Sequence, residues 1–370
     1  MKVDIITRHS VPNYGSLLQS YATQKTIEKM GYESEIINYT RYEERYENLA
    51  KTLLKGKKWD KNLLLRLIYR ILQSPNYKIQ YKKFLEYRKN FLYETNIEYG
   101  NLEELKNNTP IADIYCSGSD QIWGRIGNSE YDEAYFLEFV KGKKCISYSS
   151  SFGKTELSDD LNNNLDRLLK KYTKILVRED SAKQLLNERG YNNVEQVLDP
   201  TLLLSKEEWS ELGYKSNVKP FKNYILIYQL HDNKDFDTYA KKIAKNKNMR
   251  LLRISSSFFH IIRRGRFIYL PNQYDFLKYF ENANYVLTDS FHATAFSIIF
   301  NKPFIDILPF NKTGTRIESI LRLFKFDNRI VNDYSDINLI DNEINWNLVN
   351  KILDKERSQS IKLLKKAIEV

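Results

Sequence analysis

Apolar runs of strand length recur along the chain. Each is closed by small or polar residues and followed by a segment with apolar positions at helical spacing. Residues 3–7 predict a first buried strand, 16–30 a helix carrying Leu17, Leu18, Tyr21, Ala22 and Ile27, and 35–39 a second strand. Further strands are predicted over 111–117, 145–150, 174–177 and 194–198, with helices over 161–172 and 181–189. The second half repeats the scheme. Strands are expected over 224–229, 250–254 and 285–288, helices over 236–247, 274–282 and 293–300, and an amphipathic helix over 346–368. An apolar run over 303–308 follows the helix that ends before Pro303.

Repeated strand–turn–helix units predict an α/β fold with two Rossmann-like domains facing each other across a cleft. The polar stretch 205–220 marks the boundary between an N-terminal domain over 1–210 and a C-terminal domain over 211–345. The helix over 346–370 can cross back to the first domain. The G-x-G-x-x-G pattern is absent after the first strand, so the dinucleotide fingerprint is not met.

Residues 41–98 break the alternation. They form a Tyr- and Lys-rich helical insertion, read as one helix over 62–72 and a second over 78–90. The chain of 370 residues carries a net charge of +11. Twelve Lys and Arg between Lys51 and Lys89 face only Asp60 and Glu86, so nearly all of that excess is local. Two readings fit the insertion: a helical hairpin with a solvated charged face, or a patch for anionic lipid headgroups or an acidic glycan. No nucleic-acid reader motif accompanies the charge, so nucleic acid is not expected as a partner.

With 42% hydrophobic residues the chain can build real cores, and it has no apolar run long enough to span a membrane. The N-terminus reads as a strand rather than a secretory leader. Cys116 and Cys145 lie in strand-like runs, as buried reduced thiols would. A cytoplasmic protein is expected, peripheral at the inner face of the membrane through residues 51–89. No metal-ligand spacing is present.

Strand ends carry the candidate chemistry. In the first half these are Asn13 and Gly15, then Ser119, Asp120 and Gln121, then Ser150 and Ser151, and Arg178. In the second half they are Gln229 and His231, then Asp289, Ser290 and His292, and Arg316. His292 is one of only four histidines and falls in the first turn of a helix after a strand, where anions bind in open α/β sheets. Arg and His suit an anion, Asp suits proton transfer, and Ser, Gln and Asn suit sugar or phosphate oxygens. P-loop and G-x-S-x-G signatures are absent, so a small phosphorylated or carboxylated substrate fits better than ester or peptide hydrolysis.

Six ordered stretches carry a family resemblance. They are Asn13-Tyr-Gly-Ser-Leu-Leu-Gln-Ser-Tyr-Ala22, Gly118-Ser-Asp-Gln-Ile-Trp123, Ile146-Ser-Tyr-Ser-Ser-Ser-Phe-Gly153, Val177-Arg-Glu-Asp180, Val197-Leu-Asp-Pro-Thr-Leu-Leu203 and Thr288-Asp-Ser-Phe-His292. Together they resemble the polysaccharide pyruvyl transferase family over about residues 1–330. The resemblance implies a fold like that of glycosyltransferases of the B type and no cofactor. It implies transfer of a pyruvyl group from phosphoenolpyruvate to two hydroxyls of one sugar, as a ketal, in exopolysaccharide biosynthesis. The acceptor would be a surface glycan or its lipid-linked precursor.

By motif, Arg178 and His292 would hold the donor. Relatives with a second arginine carry Arg-Leu-His where this chain has Ser290-Phe291-His292, so Arg316 or a residue of Arg263-Arg-Gly-Arg266 would complete the anion pocket. Asp120 or Asp289 would be the base and His292 the acid, with Asn13, Gly15, Ser119, Gln121 and Ser290 among the binding residues. A nucleotide-sugar-dependent glycosyltransferase is the alternative enzyme. A non-catalytic protein binding anionic glycan or nucleic acid is the alternative outside catalysis.

Overall fold

A computed structural model describes residues 1–125, 131–219, 221–308 and 314–370. The chain divides into two compact units: Met1–Pro200 with Ser360–Val370, and Thr201–Gln359.

The first unit is built on β1 (Lys2–Ile6), α1 (Tyr14–Lys29), β2 (Glu33–Ile36), α2 (Tyr46–Leu54), α3 (Leu63–Phe91), α4 (Leu102–Asn107), β3 (Ile114–Ser117), β4 (Lys144–Ser150), α5 (Asp159–Leu169), β5 (Tyr172–Val177), α6 (Asp180–Glu188) and β6 (Val194–Gln196). Its six-stranded sheet is parallel throughout, in the order β2-β1-β3-β4-β5-β6. Such a sheet is buried on both faces, which is why its strands read as apolar runs rather than alternating ones. Val3, Ile5, Ile6, Cys116, Ile146, Ile175 and Val177 are all buried. Cys116 and Cys145 are free and buried, and burial pushes the Cys145 thiol up to about 11. The last residues of the chain also belong here. The Ser360 hydroxyl accepts from Leu198 N at 3.0 Å, and Lys144 Nζ donates to Ile368 O at 2.9 Å.

The second unit holds α7 (Lys206–Gly213), β7 (Tyr224–Tyr228), α8 (Lys234–Asn246), β8 (Arg250–Ser255), β9 (Arg266–Tyr269), α9 (Gln273–Asn282), β10 (Tyr285–Thr288), α10 (Phe291–Ile299), β11 (Phe304–Asp306), α11 (Thr315–Phe324) and the greater part of α12 (Trp346–Glu369). Its five strands are also parallel, in the order β11-β10-β7-β8-β9. Ile225, Ile227, Leu287 and Ile305 pack with Phe236, Tyr239 and Ile243 of α8 in one core.

One expectation is corrected, and two elements are added. The insertion is not a pair of helices over 62–72 and 78–90. α3 is one helix of 29 residues that runs through Pro75. A proline costs a helix one backbone bond and crowds the preceding turn. Here burial of Asn76, Gln80, Phe84, Tyr87, Arg88 and Phe91 just beyond it holds the C-terminal half in place. The polar stretch 205–220 contains a helix: Ser205 and Glu208 form a reciprocal capping box that starts α7. Pro220 lies outside the described residues. Finally, Phe267, Ile268 and Tyr269, a short apolar run that follows the basic stretch 263–266, pair with β8 in the edge strand β9.

Candidate functional site

In the first sheet the strand order reverses direction between β1 and β3, the place where ligands meet open α/β sheets. The loop after β1 ends at Asn13, whose side-chain oxygen accepts from Gly15 N at 2.8 Å and Ser16 N at 3.3 Å and so caps α1. Asn13 therefore serves the helix start. Gly15 is buried in the first turn.

Ser119, Asp120 and Gln121 follow β3. Asp120 adopts a left-handed backbone, φ 78°, and Ser149 on β4 does too, φ 57°. Left-handed non-glycine residues store strain and concentrate at functional sites. Asp120 Oδ2 accepts from the Ser16 hydroxyl at 2.8 Å, and Oδ1 from Gln121 N at 2.8 Å. The motif around Trp123 interlocks with the one around Phe152. A Cβ added to Gly124 would stand 1.9 Å from Phe152 O, and Gly153, at φ 73°, is covered by the Gln121 amide.

Arg178 follows β5 and is only 4% exposed. Its Nη1 donates to Asp199 Oδ2 at 3.0 Å, its Nε to Glu179 Oε1 at 3.4 Å, and its Nη2 lies 3.9 Å from Asp120 Oδ1. Burial opposes the charge on the guanidinium, but Glu179, Asp199 and Asp120 outweigh burial and raise its pKa. Serine hydroxyls complete the cluster. Ser119 Oγ donates to Asp199 at 2.9 Å, and Ser151 Oγ donates to Glu179. Ser150 Oγ instead donates to Ser117 O and Gly118 O, tying β4 to the end of β3. Arg178 thus sits among three carboxylates and several serine hydroxyls.

Glu179 and Asp199 were not singled out from the sequence. The signal is present, since Glu179 lies two residues beyond the end of β5 and Asp199 directly precedes Pro200 after β6. Arg8 was passed over too. It is partly buried beside Glu44, donating through Nε at 2.9 Å. Burial opposes its charge, but Glu44, Tyr135 and Asp120 outweigh burial and hold its pKa above the ordinary arginine range. His9 and Arg88 converge on Glu94, at 3.3 and 2.7 Å, and anchor the same loop from α3.

In the second sheet the order reverses between β7 and β10. Asp289, expected as a base, braces this point. Its carboxylate accepts from Leu230 N at 2.7 Å and His231 N at 2.8 Å, with His231 Nδ1 at 3.3 Å. Ser290 occupies the N-cap position of α10, but its hydroxyl makes no cap bond. His292 lies in the first turn and is 6% exposed. Two residues on, Thr294 Oγ1 lies 2.7 Å from Asp306 Oδ1, and burial pushes the Asp306 carboxyl well above the usual range.

The cations expected near His292 have distinct surroundings. Arg263 lies 3.4 Å from Asp237 and donates to Gln229 Oε1 at 3.3 Å. Arg266 stacks over Phe221 at 4.2 Å. Arg316 is half-buried in the first turn of α11, which packs against α10. Arg253, missed in the sequence, is fully buried, bonded to Gln229 Oε1 at 2.7 Å and to Asp237; burial pulls its pKa down to about 10.

Solved structures similar to this chain include a UDP-N-acetylglucosamine 2-epimerase from Methanocaldococcus jannaschii in complex with UDP-GlcNAc and UDP. That pair shares 16% identity and a TM-score of 0.54, covering 100% of this chain and 99% of that one. A putative UDP-N-acetylglucosamine 2-epimerase from Listeria monocytogenes matches with 11% identity and a TM-score of 0.56, covering 100% and 96%. The Neisseria meningitidis enzyme bound to UDP-GlcNAc matches with 12% identity and a TM-score of 0.52, covering 100% and 99%. These likenesses establish a fold of the glycosyltransferase B type. No curated protein matches by sequence. The profile of one sequence family matches residues 13–308, from the cap of α1 to beyond β11. The chain belongs to the polysaccharide pyruvyl transferase family.

Proposed function

We propose that the protein transfers a pyruvyl group from phosphoenolpyruvate to two hydroxyls of one sugar, forming a cyclic ketal on a glycan or its lipid-linked precursor. The observation that carries this reading is the start of α10. A buried histidine and a helix N-terminus whose N-cap serine makes no side-chain cap bond lie together at the strand-order reversal of the second sheet. Helix starts favour anions, and His292 can supply a further donor or a proton.

In this reading a proton adds to the methylene carbon C3 of phosphoenolpyruvate, and C2 becomes electrophilic. A sugar hydroxyl adds to C2 and loses its proton. The neighbouring hydroxyl then displaces phosphate at C2, its proton leaving with the phosphate, and the ketal closes. His292 is assigned to the donor as acid or anion ligand, with Arg316 as the cation and Ser290 beside it. Asp120 is assigned to hydroxyl deprotonation. Arg178 is assigned to hold Asp120, Glu179 and Asp199 in register, which makes it a positioning residue. This role differs from the direct donor contact that the family resemblance implies.

The test is a coupled assay. Inorganic phosphate should be released from phosphoenolpyruvate only when a sugar with two neighbouring free hydroxyls is present, and the sugar should gain an acid-labile ketal. Release of UDP or GDP from a nucleotide sugar, with phosphoenolpyruvate inert, would overturn the proposal.

A further inference from the structure

The first three turns of α3 expose their apolar side. Leu63, Leu64, Leu67, Ile68, Ile71 and Leu72 are all exposed, Leu63 by 79%, Leu64 by 65% and Ile71 by 63%. At about 100° per residue these six positions fall on one half of the helix circumference. The residues that bury α3 in the first unit, Asn76, Gln80, Phe84, Tyr87, Arg88 and Phe91, fall on the other half. None of the six belongs to the buried core, and an apolar face of this kind marks an interaction surface.

Charge decides what covers it. Lys78, Lys82 and Lys89 continue along the same exposed half of the helix. A hollow of about 910 Å³ beside it is lined by Lys51, Lys55, Arg66 and Arg70 against Glu43 and Asp60. A second copy of the chain would cover the leucines only by bringing together two segments that each carry twelve basic and two acidic residues between Lys51 and Lys89. An anionic bilayer takes up both the apolar side chains and the charge. No helix among the described residues is long and apolar enough to cross a membrane, so the association would lie in the interface.

We propose that residues 63–72 are an interfacial anchor. Their aliphatic side chains enter the boundary between headgroups and acyl chains of an anionic phospholipid membrane, and headgroup phosphates are held by Lys51, Lys55, Arg70 and the lysines further along α3. This surface is independent of the donor site, so its test does not depend on the transferase reading.

The experiment is flotation of the full-length protein with vesicles of phosphatidylglycerol and phosphatidylcholine, compared with phosphatidylcholine alone. Binding should be at least about tenfold stronger to the anionic vesicles and weaken in high salt. The Leu64→Glu, Leu67→Glu, Ile71→Glu triple variant and the Lys51→Glu, Lys55→Glu double variant should each lose about tenfold or more, with melting temperature unchanged because these side chains are exposed. Equal binding to neutral vesicles, or full binding by both variants, overturns the proposal. So does a dimer that the triple variant dissociates while neither form floats with vesicles.

Discussion

Arg178 and Asp199 form a buried ion pair: Nη1 donates to Oδ2 at 3.0 Å, and the same oxygen accepts from the Ser119 hydroxyl at 2.9 Å. The pair joins the end of β5 to the segment after β6, and through Ser119 to the end of β3. Removing one partner of a buried pair leaves the other charge uncompensated, a loss of about 3–5 kcal/mol. Arg178→Ala should therefore lower stability by about that amount as well as activity, and Arg178→Ala with Asp199→Asn should be less destabilised than the two single losses added together. Denaturant unfolding of the wild type, the two single variants and the double variant checks this. Strict additivity would show that the pair is not coupled.

Asp120 has a second demand on it besides chemistry. Its φ of 78° suits Asn or Gly and costs most other residues about 1–2 kcal/mol. Asp120→Asn should keep the melting temperature within a few degrees and lower turnover about a hundredfold or more if the carboxylate is the base. Asp120→Ala should lose stability as well. Turnover and melting curves for both variants separate the backbone role from the chemical one.

Glu94 links the loop after β1 to α3. Burial works against its charge, but the bonds from His9 and Arg88 outweigh it and bring its pKa to about 2. A carboxylate depressed in the folded state contributes stability fully above its ordinary value near 4.5, and the contribution is lost as pH falls toward 2. Glu94→Gln should cost about 2–3 kcal/mol at neutral pH. The gap between the two proteins should close between pH 4.5 and 2 in unfolding experiments. A gap that stays constant over that range would contradict the assignment.

Much of the fold is legible in the sequence because parallel strands buried on both faces read as continuous apolar runs. The strand expected over 145–150 is one residue short of β4, and the one expected over 285–288 coincides with β10. The misses have physical causes. Local rules stop a helix at Pro75, yet packing beyond it carries α3 through. β9 is a four-residue edge strand of exposed and partly exposed residues, and its apolar run, Phe267-Ile268-Tyr269, is short and directly preceded by the basic stretch 263–266. At the site, strand ends flagged Asp120, Arg178 and His292, but the sequence could not say what each one touches. Three-dimensional neighbours place Arg178 at the centre of a carboxylate cluster. They also show Asp289 accepting from two backbone amides.

Calorimetric titration of phosphoenolpyruvate into the wild-type protein and the His292→Ala and Arg178→Lys variants tests the donor assignment most directly. The account predicts binding by the wild type, at least about tenfold weaker binding by His292→Ala under conditions where circular dichroism shows it folded, and near wild-type affinity for Arg178→Lys. Undiminished affinity in His292→Ala, or loss of binding in Arg178→Lys alone, would contradict it.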